Sequence, residues 1–538
     1  MEDILIAREA NKKDIRSVAD KLGLSEDNLI LYGNDKAKID MEFNNNNNSN
    51  MILVTAISPT PYGEGKTTVS IGLHDALCLL NKKSVAVLRE PSMGPVFGMK
   101  GGATGGGYSQ IIPMEDINLH FTGDFHAITS ANNLLCSAID NHIFNGNELD
   151  IQKVIFSRTL DVNDRELRNI ELSNRREKFT ITAACEIMAL FCLANSLADL
   201  KNRLSNIIIG YNSRGQDIYA RDLNIEGSLV AILKDAFKPN LVQTLEGNPV
   251  IVHGGPFANI AHGCNSVVAS KCGMMLGDYV ITEAGFGADL GAEKFYNIKC
   301  RIGDFKPKCT VLVVTIKALK YHGGVSKDEI FELNNEALVR GFSNLKRHYE
   351  NLKKFGNNVV VCLNKYNTDL DEEVLFVRDY CEDNNMIFAC SNAYLDGGKG
   401  ALELAEKVID ICNEENNFEL LYNDDIDIKE KISCVCKEIY RCTNIKYSDI
   451  ALEKINGINN KFSKLPICVA KTQYSFSDNA KLVGAPNDFE IFVKDINLYN
   501  GAGFITVLLG DIMTMPGLPK KPNYEKIDFI DNEIVGLS

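Results

Sequence analysis

The stretch MILVTAISPTPYGEGKTTVSIGL, residues 51–73, joins an apolar run to a Pro- and Gly-containing turn and then to a helical pattern opening on Lys66-Thr67. Buried strand, turn and helix in that order are the setting of a phosphate-binding loop, whose usual signature is G-x-x-x-x-G-K-[ST]. Gly65, Lys66 and Thr67 are in place, whereas the first glycine position holds Thr60. Backbone N–H groups of such a turn, together with the N-terminus of the following helix, favour an anion. Lys66 offers a point charge to the outer phosphates of a nucleotide, and the Thr67 hydroxyl offers a ligand to its Mg2+. Pro59 and Pro61, on either side of Thr60, can pre-shape the turn in place of the glycine. A chance GKT in an ordinary strand-to-helix turn is the bland alternative, and the flanking strand and helix speak against it. Thr60, Pro61, Tyr62, Gly63, Glu64, Gly65, Lys66, Thr67 and Thr68 are therefore read as the nucleotide-binding segment.

The same alternation continues outward. SVAVL (84–88), PVIVH (249–253), DYVITEA (278–284) and CTVLVVTI (309–316) are further short apolar runs separated by stretches with helical spacing. Strands alternating with helices predict a parallel sheet covered on both faces. A second alternating set follows: NNVVVCLNKY strand, EEVLFVRDYCED helix, NMIFACS strand, GALELAEKVIDIC helix. The acidic stretch YNDDIDIKE (422–430) reads as a boundary with a solvated face. NNNNNSN (44–50) reads as a solvated connector. The expected fold class is α/β, a P-loop NTPase-like, doubly wound, mostly parallel sheet with smaller additional α/β domains. The expected division is a nucleotide-binding domain with an N-terminal helical segment over 1–345, a second α/β domain over 346–425 and a C-terminal domain over 426–538.

Composition narrows the classes of partner. The chain has 538 residues, 45% hydrophobic and 24% charged, as in soluble multidomain proteins. Its net charge of −14, without a long basic run, argues against a nucleic-acid or anionic-membrane surface and leaves room for a local basic pocket for phosphates. None of the 16 cysteines forms a C-x-x-C pair, and many lie in apolar runs. They read as reduced thiols of a cytoplasmic protein. MEDILIAREA lacks the basic-then-apolar order of a signal peptide. The most apolar helical run, near 182–200, carries Glu186 and Asp199, so no membrane span is expected.

Which nucleotide is read from the strand VVVCLNKYNTD. Asn364-Lys365 is similar to the N-K-x-D guanine reader, but residue 367 is Asn. Without the guanine-specific carboxylate ATP is favoured over GTP, with Asn364 beside the nucleotide.

The block LREPSMGPVFGMKGGATGGGYSQIIPMEDINLHFTGDFHAITSANNLL (88–135) carries seven glycines between Gly94 and Gly107. So many glycines are entropically wasteful in a mere loop. Taken with GGPFANIAHGCNS, TEAGFGADLGAEKFYNIKCR, AKTQYSFSD and GAGFITVLLGDIMTMPGLPKKP, it resembles formate–tetrahydrofolate ligase over nearly the whole chain. The resemblance implies an enzyme that uses ATP to phosphorylate formate. The folate amine then displaces phosphate from formyl phosphate, giving 10-formyltetrahydrofolate, ADP and phosphate. It also implies a homotetramer, Mg2+ with the ATP and activation by a monovalent cation, K+ or NH4+. Arg89 matches the arginine beside formyl phosphate; a surface Arg paired with Glu90 is the bland reading. Asp124 and His126 match further positions, as proton carrier or metal contact.

Departures gather at the expected folate site. Tyr366-Asn367 stands where the family has an aromatic–proline pair, and Tyr394 where it has a tryptophan; this chain has no tryptophan. Tyr366, Asn367 and Tyr394 are read as the folate clamp, with smaller aromatic faces. Lys317 and Ala485 stand where arginines are expected, and ELSNRREKFTIT (171–182) is shortened. A nucleotide-binding homologue with a weakened folate site is the alternative to the active ligase.

Overall fold

The apolar runs become the strands of one large sheet. The computed structural model describes residues 2–43, 48–98, 102–173 and 175–537. The connector reading of 44–50 falls largely on residues outside that set, as does part of the glycine block, 99–101. Along the main path of this twelve-stranded sheet lie β1 (Leu29–Leu31), β2 (Ala37–Ile39), β3 (Asn50–Ala56), β4 (Ser84–Leu88), β5 (Asn240–Thr244), β6 (Pro249–Val252), β7 (Tyr279–Glu283), β8 (Cys309–Val314), β9 (Asn358–Asn364) and β10 (Ile387–Ser391). Their spatial order is β1-β2-β5-β6-β4-β7-β3-β8-β9-β10, with the hairpin Gly105–Gly106/Ser109–Ile112 branching from β5. From β6 to β10 every pairing is parallel; β1, β2 and β5 pair antiparallel. The expected mostly parallel α/β sheet is present.

The parallel strands are apolar throughout because both faces are covered. Ile52 and Val54 of β3 pack with Val69, Leu73 and Leu77 of α1 (Lys66–Leu79) on one face. Met51 and Leu53 point to the other, against a core that includes Ile128 and Leu135 of α2 (Asp124–Phe144). From β3 the chain passes over to β4, fills the gap later with β7, and only then places β8 on the opposite side of β3. β3 is thus where the winding reverses, and a crevice forms outside the carboxyl ends of strands at such a point.

The two strands within 346–425 extend this sheet. β9 pairs with β8 from Asn358↔Cys309 to Leu363↔Val314, and β10 pairs with β9 in turn. A boundary at 345 does not interrupt the sheet, because β8 still has an unpaired edge that a buried apolar strand can complete. Helices α3 (Ile316–His322), α4 (Asn335–Lys353), α5 (Asp371–Asp383) and α6 (Leu402–Cys412) connect and cover these strands. Residues beyond 426 form two small sheets, Asn444–Tyr447 with Glu490–Val493, and Ile467–Ala470 with Phe504–Leu508 and Asp495–Tyr499. Lys471 ties this part to the body through a buried ion pair with Asp289 at 2.8 Å. Among the described residues no helix is long and apolar enough to cross a membrane.

Candidate active site

The turn after β3 is built so that position 60 has no need of glycine. Only Gly63 (φ +75°) and Gly65 (φ +71°) take left-handed backbone in this turn, and both are glycine. The Thr60 hydroxyl accepts the Tyr62 N–H at 3.3 Å, and the Glu64 carboxylate folds back to accept the Thr60 N–H at 2.6 Å. Side chains thus shape what the first glycine would otherwise permit. Asn364, at the end of β9, donates its amide to the Glu64 carbonyl at 3.1 Å and lies against Gly65, where a Cβ would stand 2.2 Å from its nitrogen. Gly65 is therefore required twice, for its backbone and for this contact. Asn364 meets the loop as a backbone prop.

Helix α1 begins at Lys66, so its N-terminus faces the loop. Burial holds the half-buried Lys66 ammonium below the ordinary lysine pKa; the carboxylates of Glu64 and Glu283 pull it up and Arg89 pushes it down. The Thr67 hydroxyl donates to Glu283 Oε2 at 3.0 Å. Glu283 ends β7, the immediate neighbour of β3, and is buried. It was not singled out from the sequence; its signal is an acid closing the strand next to the one that carries GKT. Arg89 follows β4, the next strand along. Its Nη1 donates to the Pro256 carbonyl at 3.3 Å, and its Nε is buried without a partner among the described residues. A Cβ on Gly285 would stand 3.1 Å from Nη1, so the chain after β7 packs directly on the guanidinium. Glu90 does not pair with Arg89 among the described residues. It is buried, and burial, then the nearby Asp124 charge, raise its carboxyl well above the usual range. Three neighbouring strands so bring Lys66, Thr67, Glu283 and Arg89 to one sheet edge.

Asp124 and His126 are placed differently. Asp124 is buried in an ion pair with Lys38 at 2.8 Å, both side chains 1% exposed, and accepts from Asn240 Nδ2 at 2.8 Å. Its oxygens are engaged in holding α2 against β2 and β5. His126 is exposed, and no hydrogen bond or ion pair among the described residues links it to the Lys66–Arg89 group.

The two tyrosines lie beyond β9 and β10, at the same edge. The Tyr366 hydroxyl donates to the Gly63 carbonyl at 3.3 Å, and Lys317 Nζ lies 4.2 Å from its ring centroid. Burial, followed by the Glu64, Asp369 and Tyr394 charges, pushes the phenol up to about 12, so Tyr366 stays protonated. Tyr394 is 40% exposed, with its hydroxyl on Asp3 Oδ1 at 3.1 Å. The Tyr108 N–H donates to its carbonyl at 2.8 Å, and a Cβ on Gly107 would stand 2.0 Å from that oxygen. Part of the glycine block is thereby explained as a close approach to Tyr394. Asn367 is exposed. Ala485 lies elsewhere, its carbonyl accepting from Arg347 at 3.3 Å.

A protein-family model described as formate–tetrahydrofolate ligase matches residues 1–538, the whole chain. The chain belongs to that family. The resemblance read from its motifs is borne out, and with it an enzyme that ligates formate to tetrahydrofolate at the expense of ATP. Formate–tetrahydrofolate ligases need a nucleotide cradle and an anion site within reach of each other. The sheet edge carrying Lys66 and Arg89 offers both kinds of group.

Proposed function

We propose that the 58–67 turn is a P-loop that holds the ATP phosphates, and that Arg89 receives formate and the acyl phosphate made from it. The observation that carries this reading is the convergence of Lys66 and Arg89, neither in an ion pair among the described residues, with the Thr67–Glu283 pair on adjacent strands. A formate oxygen attacks the γ-phosphorus, the bond to the β-phosphate oxygen breaks and ADP leaves. The folate amine then attacks the formyl carbon, the C–O bond breaks, and phosphate departs with that formate oxygen. Bringing formate and ATP together is repulsive, and preorganised cations and N–H donors offset the repulsion. Thr67 and the buried carboxylate of Glu283 are hard oxygen donors of the kind Mg2+ prefers. When bound there, Mg2+ supplies charge neutralisation at the phosphates. Asp124 belongs to this reading only as a buried support of α2 through Lys38 and Asn240, and no role is assigned to His126.

The same reading takes residues 1–345 as the nucleotide-binding part, 346–425 as the folate-binding margin of the sheet and 426–538 as a C-terminal unit. Activation by K+ or NH4+ and a homotetramer follow the family's pattern. Free cysteines, most of them buried, suit a cytoplasmic protein. A coupled assay with formate, ATP and tetrahydrofolate tests the activity. With 18O-labelled formate, one label per turnover is expected in the released phosphate; unlabelled phosphate refutes the acyl phosphate.

Folate is placed at Tyr366, Asn367 and Tyr394, where two rings flank the edge beyond β9 and β10. Stacking acts alike in ground and transition states, so removing one ring weakens binding more than turnover. Tyr366→Ala or Tyr394→Ala is expected to raise the folate KM roughly 10-fold, from about 1–1.5 kcal/mol per aromatic contact. Steady-state kinetics check this, with the ATP KM moving least in Tyr394→Ala because Tyr366 also touches Gly63. A normal folate KM in both variants refutes the clamp.

A further inference from the structure

Ser58, where the chain leaves β3 for the loop, is gripped from behind by three side chains on two helices. Asn344 of α4 donates its amide to Ser58 Oγ at 3.0 Å and to the Gly484 carbonyl at 2.6 Å, while its oxygen accepts the Ser58 N–H at 3.4 Å. His348, one turn further along α4, lies with Nε2 3.0 Å from Ser58 Oγ. His322, the last residue of α3, places Nε2 2.8 Å from the Ser58 carbonyl and accepts the Gly484 N–H on Nδ1 at 3.2 Å. An Nδ1 that accepts leaves Nε2 as the donor, so one tautomer of His322 satisfies both bonds. All four side chains are buried, Asn344 and His348 completely. Burial lowers His322 to about 4 and His348 to about 3, so both imidazoles are neutral at working pH.

The grip reaches into the C-terminal part of the chain. Gly484 is bonded on both its carbonyl and its N–H. The His348 ring packs on Phe476 with centroids 4.5 Å apart. Arg347 donates to the Pro486 carbonyl at 2.6 Å and to Asn487 Oδ1 at 2.7 Å. No residue of this set approaches the tyrosines beyond β9 and β10 through a hydrogen bond or ion pair among the described residues.

We propose that Asn344, with His322 and His348, positions the phosphate loop, making the segment 476–487 a part of what keeps the ATP site in its binding shape. This rests on the reading of that loop as the ATP site. A loop released at Ser58 spends less time in the competent shape, and the apparent affinity for ATP falls by the fraction lost. Folate is affected less, because among the described residues Tyr394 has no hydrogen bond to the loop and Tyr366 meets it only through the Gly63 carbonyl at 3.3 Å.

Asn344→Ala is expected to raise both the ATP KM and the calorimetric Kd for Mg-ATP, measured without formate or folate, by about 10-fold. Folate KM is expected to rise by much less than the ATP KM, since Tyr366 shares one hydrogen bond with the loop, and amide exchange over residues 58–65 is expected to accelerate. Asn351→Ala is the matched control: Asn351 is buried on the same helix and donates to the Ile439 carbonyl at 2.8 Å, but does not reach the loop. It is expected to leave ATP binding unchanged even if it lowers the melting temperature. Ser58→Ala removes the gripped hydroxyl without altering a helix and is expected to reproduce the rise in ATP KM should Asn344→Ala fail to fold. Unchanged ATP binding in the folded variants, or an equal loss in Asn351→Ala, overturns the proposal. Lys66→Ala, assayed alongside, separates the two failures: normal turnover in that variant removes the loop from the ATP site altogether.

Discussion

Lys66→Ala is expected to give a folded protein whose ligase turnover is lower by about 10²-fold or more, the usual loss when one preorganised charge at a transferred phosphate is removed. The fold tolerates the change because Lys66 is half-buried at the start of α1 and makes no ion pair among the described residues. Its surroundings say why the charge is kept for the nucleotide. Burial and the Arg89 charge both disfavour the ammonium, and only Glu64 and Glu283 support it. An arriving triphosphate adds the missing negative charge, so the ammonium is best stabilised when the substrate is in place. Turnover is read from steady-state kinetics with saturating substrates, and folding from the thermal melt. A folded variant with near-normal turnover would place the ATP site elsewhere.

Arg89→Ala is expected to reduce turnover by a similar factor, about 10²-fold or more, while folate still binds with an unchanged KM. A guanidinium has five N–H donors, and the one protein acceptor described for Arg89 is the Pro256 carbonyl at 3.3 Å. Its Nε is buried without a partner among the described residues, which is costly in a finished protein core unless a ligand completes it. A small oxyanion answers that need. Arg89→Lys is expected to recover little of the loss, since a point charge cannot reproduce the planar fork on a carboxylate or phosphate. If Arg89→Ala keeps its turnover and loses folate, while the tyrosine variants keep their folate KM, the acyl phosphate and folate positions are interchanged.

Local chemistry was readable from the chain, and distant partners were not. β3, β4, β7, β8, β9 and β10 appear in the sequence as apolar runs because a parallel strand buried on both faces admits little else. GKT at the start of α1 is legible because the motif is local. Arg89 became a candidate only through the resemblance, since an Arg-Glu pair after a strand looks like ordinary surface. Glu283 gave no such signal alone; its meaning comes from lying beside Thr67, 216 residues away in the chain. Asp124 was read as a proton carrier or metal contact through the resemblance, and its buried partner Lys38, 86 residues upstream, had no signal in the sequence. Asn364 was placed beside the nucleotide from the sequence, and its bond to the Glu64 carbonyl of the loop after β3 had no local signal. Asn344 was invisible for the same reason: it meets Ser58 across 286 residues.

The loop that follows β3 rises from the interior of the sheet, whereas Tyr366 and Tyr394 follow its last two strands. An interior strand answers to a neighbour on each side and to packing above and below, so a change there disturbs four contacts at once. A terminal strand has one neighbour and an open flank. Of the departures proposed to bear on folate, Tyr394 follows the terminal strand, whereas Tyr366 and Asn367 follow β9 and Lys317 follows β8, each flanked on both sides. Tyr394 is therefore the position at which the proposed folate site can change with least disturbance to the site proposed to energise formate.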